Sequence, residues 1–202
     1  MSDAPISAVD RLDLKAALAA GWEPAEIEWE TKEERAAALA LAGRLGEALP
    51  LWRQGLRLAR ENFAPGDPRL GTSLANLAYG LRESGETGQA TPLLQEAKRC
   101  WDASWHWINR LHIAPRARSS LYHLRMELRH RAQYEANARN RLEAFAAETR
   151  EAVARLAAGG PPPPRTYRRW RSEKPPQFND SRKLLAACLL LVSAADEKGD
   201  GA

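Results

Sequence analysis

The residues that could do chemistry in this 202-residue chain are few. The histidines are His106, His112, His123 and His130. None stands in an HExxH, and no Cys/His group has the spacing a zinc ion needs to close its ligand shell. His123 and His130, seven apart, share a helix face and read as surface or packing residues. Cys100 and Cys188 lie far apart with no CxxC, so no disulfide framework or metal knuckle is predicted, and a reducing compartment is favoured. Ser119 and Ser120 lack the glycines of a nucleophile elbow. No GxGxxG or GxxxxGK[ST] is present to cradle a phosphate. The chain therefore reads as a non-enzyme with no catalytic residue, no metal and no cofactor.

What remains is binding chemistry. In "RTYRRWRSEK" the guanidinium groups of Arg165, Arg168, Arg169 and Arg171 interleave with Tyr167 and Trp170. Arginine pairs with phosphate and aromatic rings stack on bases, so segment 165–178 supports one reading as an RNA-binding accessory protein. A net charge of +4 over the whole chain is modest support for it. The charge is uneven, with 12 Lys/Arg against 15 Asp/Glu in residues 1–100 and 18 against 11 in residues 101–202. The basic end thus either meets an acidic partner or folds back on the acidic stretch "EPAEIEWETKEE" at 23–34. A second aromatic concentration, "CWDASWHWINRL" at 100–111, places Trp101, Trp105, Ile108 and His112 on one expected helical stripe, with Trp107 opposite. That stripe reads as core filling, or else as an aromatic shelf for a ligand.

The elements that must position these groups repeat. Six pairs recur 42 residues apart: Ala36 and Ala78, Leu39 and Leu81, Gly43 and Gly85, Ala48 and Ala90, Trp52 and Leu94, Gly55 and Ala97. Small residues return where two helices approach closely, and large apolar ones where a gap must be filled. Leu74, Leu77, Ala78 and Leu81 form a helical stripe, as do Ala90, Leu93, Leu94 and Ala97. Gly43 and Gly85 suit left-handed helix ends, so each unit is a helical hairpin. One hairpin cannot bury its own stripe, so the units must stack. "FAPGDPRLG" is the connector, with Asp67 or Thr72 available to start the next helix.

These residues carry a resemblance. "GDPRLGTSLANLA", followed by Gly85, Ala90 and Ala97, resembles the tetratricopeptide repeat, in its longer form from kinesin light chains. It is strongest over 66–102, fair over 29–60, and weak for a third unit near 113–145, where Ser120 and Ala132 keep register but Glu127 replaces the turn glycine. The resemblance implies an all-α, helical-hairpin solenoid and a protein-interaction scaffold, adaptor or client-specific chaperone in the cytoplasm. It also implies a groove along the first helices of the repeats, where the asparagine of "NLA" holds an extended peptide backbone. That asparagine is Asn76, with Tyr79 and Arg82 on the same face; Glu34 and Arg118 stand 42 residues to either side, and Arg125 lies beyond. A carboxylate clamp is not expected, because Glu33, Ala37 and Ala114 occupy positions where it needs polar or basic groups.

The expected organisation is a capping helix and linker at 1–28, repeats at 29–158, a Pro/Arg-rich linker or strap at 159–179, and an apolar helix with a disordered tail at 180–202. No secretory leader is predicted from "MSDAPISAVDRLDLKAALAAGW". Residues 184–195 are almost wholly apolar but fall short of the roughly 20 needed to cross a bilayer. That helix, capped by Asp180 or Ser181, either closes the solenoid or docks onto a second copy as a homodimer contact. The expected partner is another protein, contributing a peptide or helical segment, with nucleic acid as the alternative.

Overall fold

The computed structural model describes residues 8–112, 121–163 and 178–192, and every regular element among them is helical. Helix α1 (Ala8–Ala19) ends at Gly21, whose φ of 81° is a left-handed conformation open to glycine. Pro24 then opens α2 (Pro24–Leu41), where its missing N–H is not needed. Next come α3 (Leu45–Asn62), α4 (Pro68–Glu83), α5 (Thr87–Ala103), the short α6 (Trp105–Asn109), α7 (Leu121–Ala157) and α8 (Asp180–Leu189). Asp67 caps α4, its carboxylate accepting from the Arg69 N–H at 2.9 Å.

Helices α2 with α3, and α4 with α5, form two stacked hairpins. Their turns are copies of each other. Gly43 and Gly85 both have positive φ, at 73° and 84°, and the following N–H reaches back over each glycine, from Arg44 to Leu39 O at 2.9 Å and from Glu86 to Leu81 O at 2.8 Å. This six-to-one bond closes the helix end in the same way twice. Pro50 and Pro92, again 42 apart, both sit inside the second helix of their hairpin.

The core is a set of tryptophans seated against glycines. Trp29, Trp52 and Trp101 are all fully buried. A Cβ on Gly80 would lie 2.8 Å from both Trp52 Cζ3 and Leu49 Cδ2, and one on Gly71 would lie 2.6 Å from Trp101 Cδ1. The indole N–H groups of Trp52 and Trp101 have no acceptor among the described residues, so these rings contribute by filling space.

Two expectations change here. The stripe of Trp101, Trp105, Ile108 and His112 does not exist, because the chain breaks at Ser104 between α5 and α6. Trp101 and Ile108 are buried, whereas Trp105 is 48% exposed and His112 is exposed. Glu127, where a third hairpin would turn, instead lies inside α7, which runs unbroken for 37 residues. Residues 113–120, and 164–177 with most of the strap, lie outside the described residues.

Helix α8 packs within the chain, against α4 and α7, and is nearly all buried from Leu184 to Val192. Its cap is neither Asp180 nor Ser181 but Asn179, whose side chain accepts from the Arg182 N–H at 3.0 Å. Asp180 instead accepts from the backbone N–H of His112 at 3.1 Å.

The glycine contacts give a sign test with one substitution. Gly80→Ala should lower the melting temperature, costing about 1–3 kcal/mol through overpacking against Trp52. Gly88→Ala, on α5 with open space around the new Cβ, should raise it by about 0.5–1 kcal/mol through helix propensity. Thermal melts followed by circular dichroism decide; equal effects at the two sites would refute the ring-on-glycine packing.

Candidate functional site

The inner face of the hairpins is built by α2 and α4, and its centre is a buried carboxylate. Glu33 is fully buried and meets donors only. The Ser73 hydroxyl donates to its Oε1 at 2.6 Å and the Asn76 amide donates to its Oε2 at 2.9 Å. The Trp29 indole N–H donates in turn to Ser73 Oγ at 2.7 Å. Burial pushes the Glu33 carboxyl up, and the bonds from Ser73 and Asn76 pull it partly back, to about 7. Gly55 of α3 lies behind it, where a Cβ would stand 2.6 Å from Oε1.

Asn76, also fully buried, uses both ends of its amide on one stretch of backbone. Its Nδ2 donates to the Leu190 carbonyl at 3.0 Å and its Oδ1 accepts from the Val192 N–H at 2.7 Å. One turn earlier on α4, the Thr72 hydroxyl donates to the Ala187 carbonyl at 2.6 Å. The backbone held on this face therefore belongs to the chain itself, at and beyond the end of α8.

The start of the same segment is read by charge. The Arg182 guanidinium forks onto Glu30 through Nε and Nη2 and lies 4.0 Å over the Phe178 ring. Phe178 meets Trp22 edge-on at 5.1 Å. Lys183 reaches Glu26 at 2.8 Å, and Glu26 also pairs with Arg69 at 2.8 Å. Burial would raise the Glu26 carboxyl, but the Lys183 and Arg69 cations more than offset it and hold it below the usual range. Arg69, held also by Asp67 at 2.7 Å, stacks 3.9 Å over the Phe63 ring. Beside this group, at the N-terminal ends of α2, α4 and α8, opens a mixed-charge cleft of about 680 Å³ that includes Phe63, Trp107, Arg110 and Lys183.

Of the residues singled out in the sequence, the structure brings Asn76 to the centre of the face. Tyr79 and Arg82 follow it, both half-buried, with Arg82 5.8 Å over the Tyr79 ring and donating to the Gly160 carbonyl at 3.0 Å. Glu34 is half-buried on α2, beside the central Glu33. Arg118 lies outside the described residues, and Arg125 falls in α7 with its side chain outside them. Sequence reasoning missed Glu30, Glu33, Thr72, Ser73 and Arg182. The spacing of Glu26, Glu30 and Glu33, four and then three residues, was a readable acidic stripe on one helix face.

Catalytic chemistry finds little here. Burial pushes the Cys100 thiol up to about 11, away from a reactive thiolate. Among the described residues no group of three His, Cys, Asp or Glu could hold a metal ion, and no helix is long and apolar enough to cross a membrane.

Residues 30–102 match the model of the tetratricopeptide repeat family, the stretch covered by the two hairpins, and these are tetratricopeptide repeats. The match is to the repeat family and does not single out its 42-residue variant. No curated protein and no solved structure matches the chain significantly.

The Glu33 carboxyl makes stability depend on pH. Its folded pKa of about 7 exceeds the ordinary 4.5, so the native state holds an extra proton between those values. Its stabilising share is complete below the lower value and is lost as pH rises through the upper one, a difference on the order of 3 kcal/mol. Glu33→Gln keeps an acceptor for Asn76 and can donate to Ser73 Oγ. Its melting temperature should therefore exceed that of the wild type at about pH 8 and lose the wild type's downward slope between about pH 5 and pH 8. An unchanged slope in the variant would remove Glu33 from this role.

Proposed function

We propose that the chain is a protein-interaction adaptor or scaffold, of the kind that also serves client-specific chaperones, whose repeats receive a short segment of a partner protein on the α2/α4 face. The observation that carries this reading is the use of Asn76. A buried side-chain amide that satisfies both a carbonyl and an N–H of the backbone leaving a helix end recognises main chain irrespective of sequence. Tetratricopeptide repeats mediate protein–protein interactions generally, which supports the same reading. Tyr79 and Arg82 extend the face beyond Asn76, with Glu34, Arg118 and Arg125 as further contacts of a mixed-charge groove.

Nucleic acid binding through 165–178 has less support. Phe178, the described aromatic of that stretch, is half-buried and already engaged by Trp22 edge-on and by Arg182 over its ring.

Asn76→Ala is a poor probe, because it would strand Glu33, the Leu190 carbonyl and the Val192 N–H together and lower stability by itself. A photo-crosslinking amino acid at Tyr79 tests the face with less disruption. It should capture protein from a native lysate, whereas the same group at exposed Gly88 on α5 should not. Equal capture at the two positions, or recovery of nucleic acid alone, would refute the groove reading.

A further inference from the structure

Residues 178–192 occupy the proposed groove through contacts of the kind a binding site makes to a separate chain. Their N-terminal end is fixed by two ion pairs to α2, Arg182 with Glu30 and Lys183 with Glu26. Their middle is fixed by the Thr72 hydroxyl at the Ala187 carbonyl, one of the orphan acceptors at a helix C-terminus. Their far end is fixed by the Asn76 amide on the backbone just past the helix, at the Leu190 carbonyl and the Val192 N–H. Between these points Leu184, Ala187, Cys188 and Leu189 bury apolar side chains. A segment kept only as core would need the apolar contacts alone. Buried ion pairs add little net stability, and their attested use is to fix register.

We propose that residues 178–192 are a built-in competitor for the groove, and that the partner segment carries the same chemistry. That chemistry is an aromatic residue four positions ahead of an Arg–Lys pair on a short apolar helix, continued by a few apolar residues that bend away from the helix end. The inference rests on the α2/α4 face being the binding face and names what that face recognises. Two carboxylates of α2, Glu26 and Glu30, meet the segment, so a partner presenting acidic side chains there is repelled. The competitor is joined to the rest of the fold through residues 164–177, a connection of 14 residues. Because the competitor belongs to the same chain its binding is intramolecular, so an incoming segment of equal intrinsic affinity is largely held off. The groove opens when the partner binds more tightly or when the Arg182 and Lys183 pairs are weakened.

The test uses the full chain and a labelled peptide of sequence FNDSRKLLAACLLLV, followed by fluorescence anisotropy. The wild type should bind it weakly. Arg182→Glu, which sets a carboxylate against Glu30 and expels the chain's own segment, should bind it on the order of tenfold more tightly or better. Adding Glu30→Arg to that variant restores the cis pair with reversed charges and repels Arg182 of the peptide, so binding should return to the wild-type level or below. Lys183→Glu is a milder version of the first change and should fall between. If Arg182→Glu and Lys183→Glu melt cooperatively yet bind no more tightly than the wild type, the proposal is overturned. It is also overturned if both variants lose cooperative melting, since the segment is then an inseparable part of the core. Binding by Arg182→Glu that proves to be exchange between two copies, seen as a doubled mass in sedimentation, would replace the partner by a second copy of this chain. None of these readouts requires the lysate partner, so failure here and failure of the crosslinking experiment remain distinct.

Discussion

The buried amide of Asn76 is the constraint around which the inner face is arranged. An amide has a donor end and an acceptor end, and only one orientation serves both Leu190 and Val192. Glu33 sets that orientation by accepting from Nδ2. Among the described residues no cation pairs with this carboxylate, so it must be met by neutral donors, and Ser73 and Asn76 supply them. Trp29 then fixes the Ser73 hydroxyl by donating to it. The chain of dependence reaches α3, where Gly55 is small because any side chain would enter the space of Glu33 Oε1. Four helices, α2, α3, α4 and α8, are therefore coupled through one polar group of modest size.

The apolar framework leaves that polar centre in place by stacking rings on bare backbone. Trp52 on Gly80 and Trp101 on Gly71 bring neighbouring helices close at two levels. Neither indole N–H meets an acceptor among the described residues, a cost of about 1–3 kcal/mol apiece that ring burial must exceed.

The repeat was legible because its signals are local. A glycine with positive φ, a small residue at a close approach and an aspartate before Pro68 each act within a few residues, and all recur or sit at the expected place. Asn76 was legible as a holder of peptide backbone. Its occupant was not, since Leu190 and Val192 lie more than a hundred residues away and nothing in "KLLAACLLLV" names a partner. An apolar run of that kind fits any buried surface. The tryptophan stripe failed for a related reason, because periodicity cannot see a one-residue break at Ser104 that turns Trp105 outward. Residues 113–145 read as a weak third hairpin on register matches at Ser120 and Ala132, although Glu127 stands in the turn glycine's place, and without that glycine α7 runs through the position as one helix. The acidic stripe of α2 was visible as charge, but its meaning depended on Arg182 and Lys183, 152 and 157 residues further along the chain.

The distribution of polar contacts along 178–192 separates two tasks that one apolar helix could not perform alone. Apolar burial holds a helix down but leaves it free to slide by a turn, because leucines and alanines at Leu184, Leu185, Ala186, Ala187 and Leu189 offer similar surfaces in several registers. Ion pairs at one end and a two-sided amide at the other remove that freedom. A slip of one residue would strand Glu30 and leave Asn76 Oδ1 without its donor, both in buried sites where an unpaired polar group is costly. Register is thus fixed by what mispairing would cost rather than by what correct pairing adds. A face built in this way discriminates between segments, and this chain's own terminus is the segment that presently satisfies it.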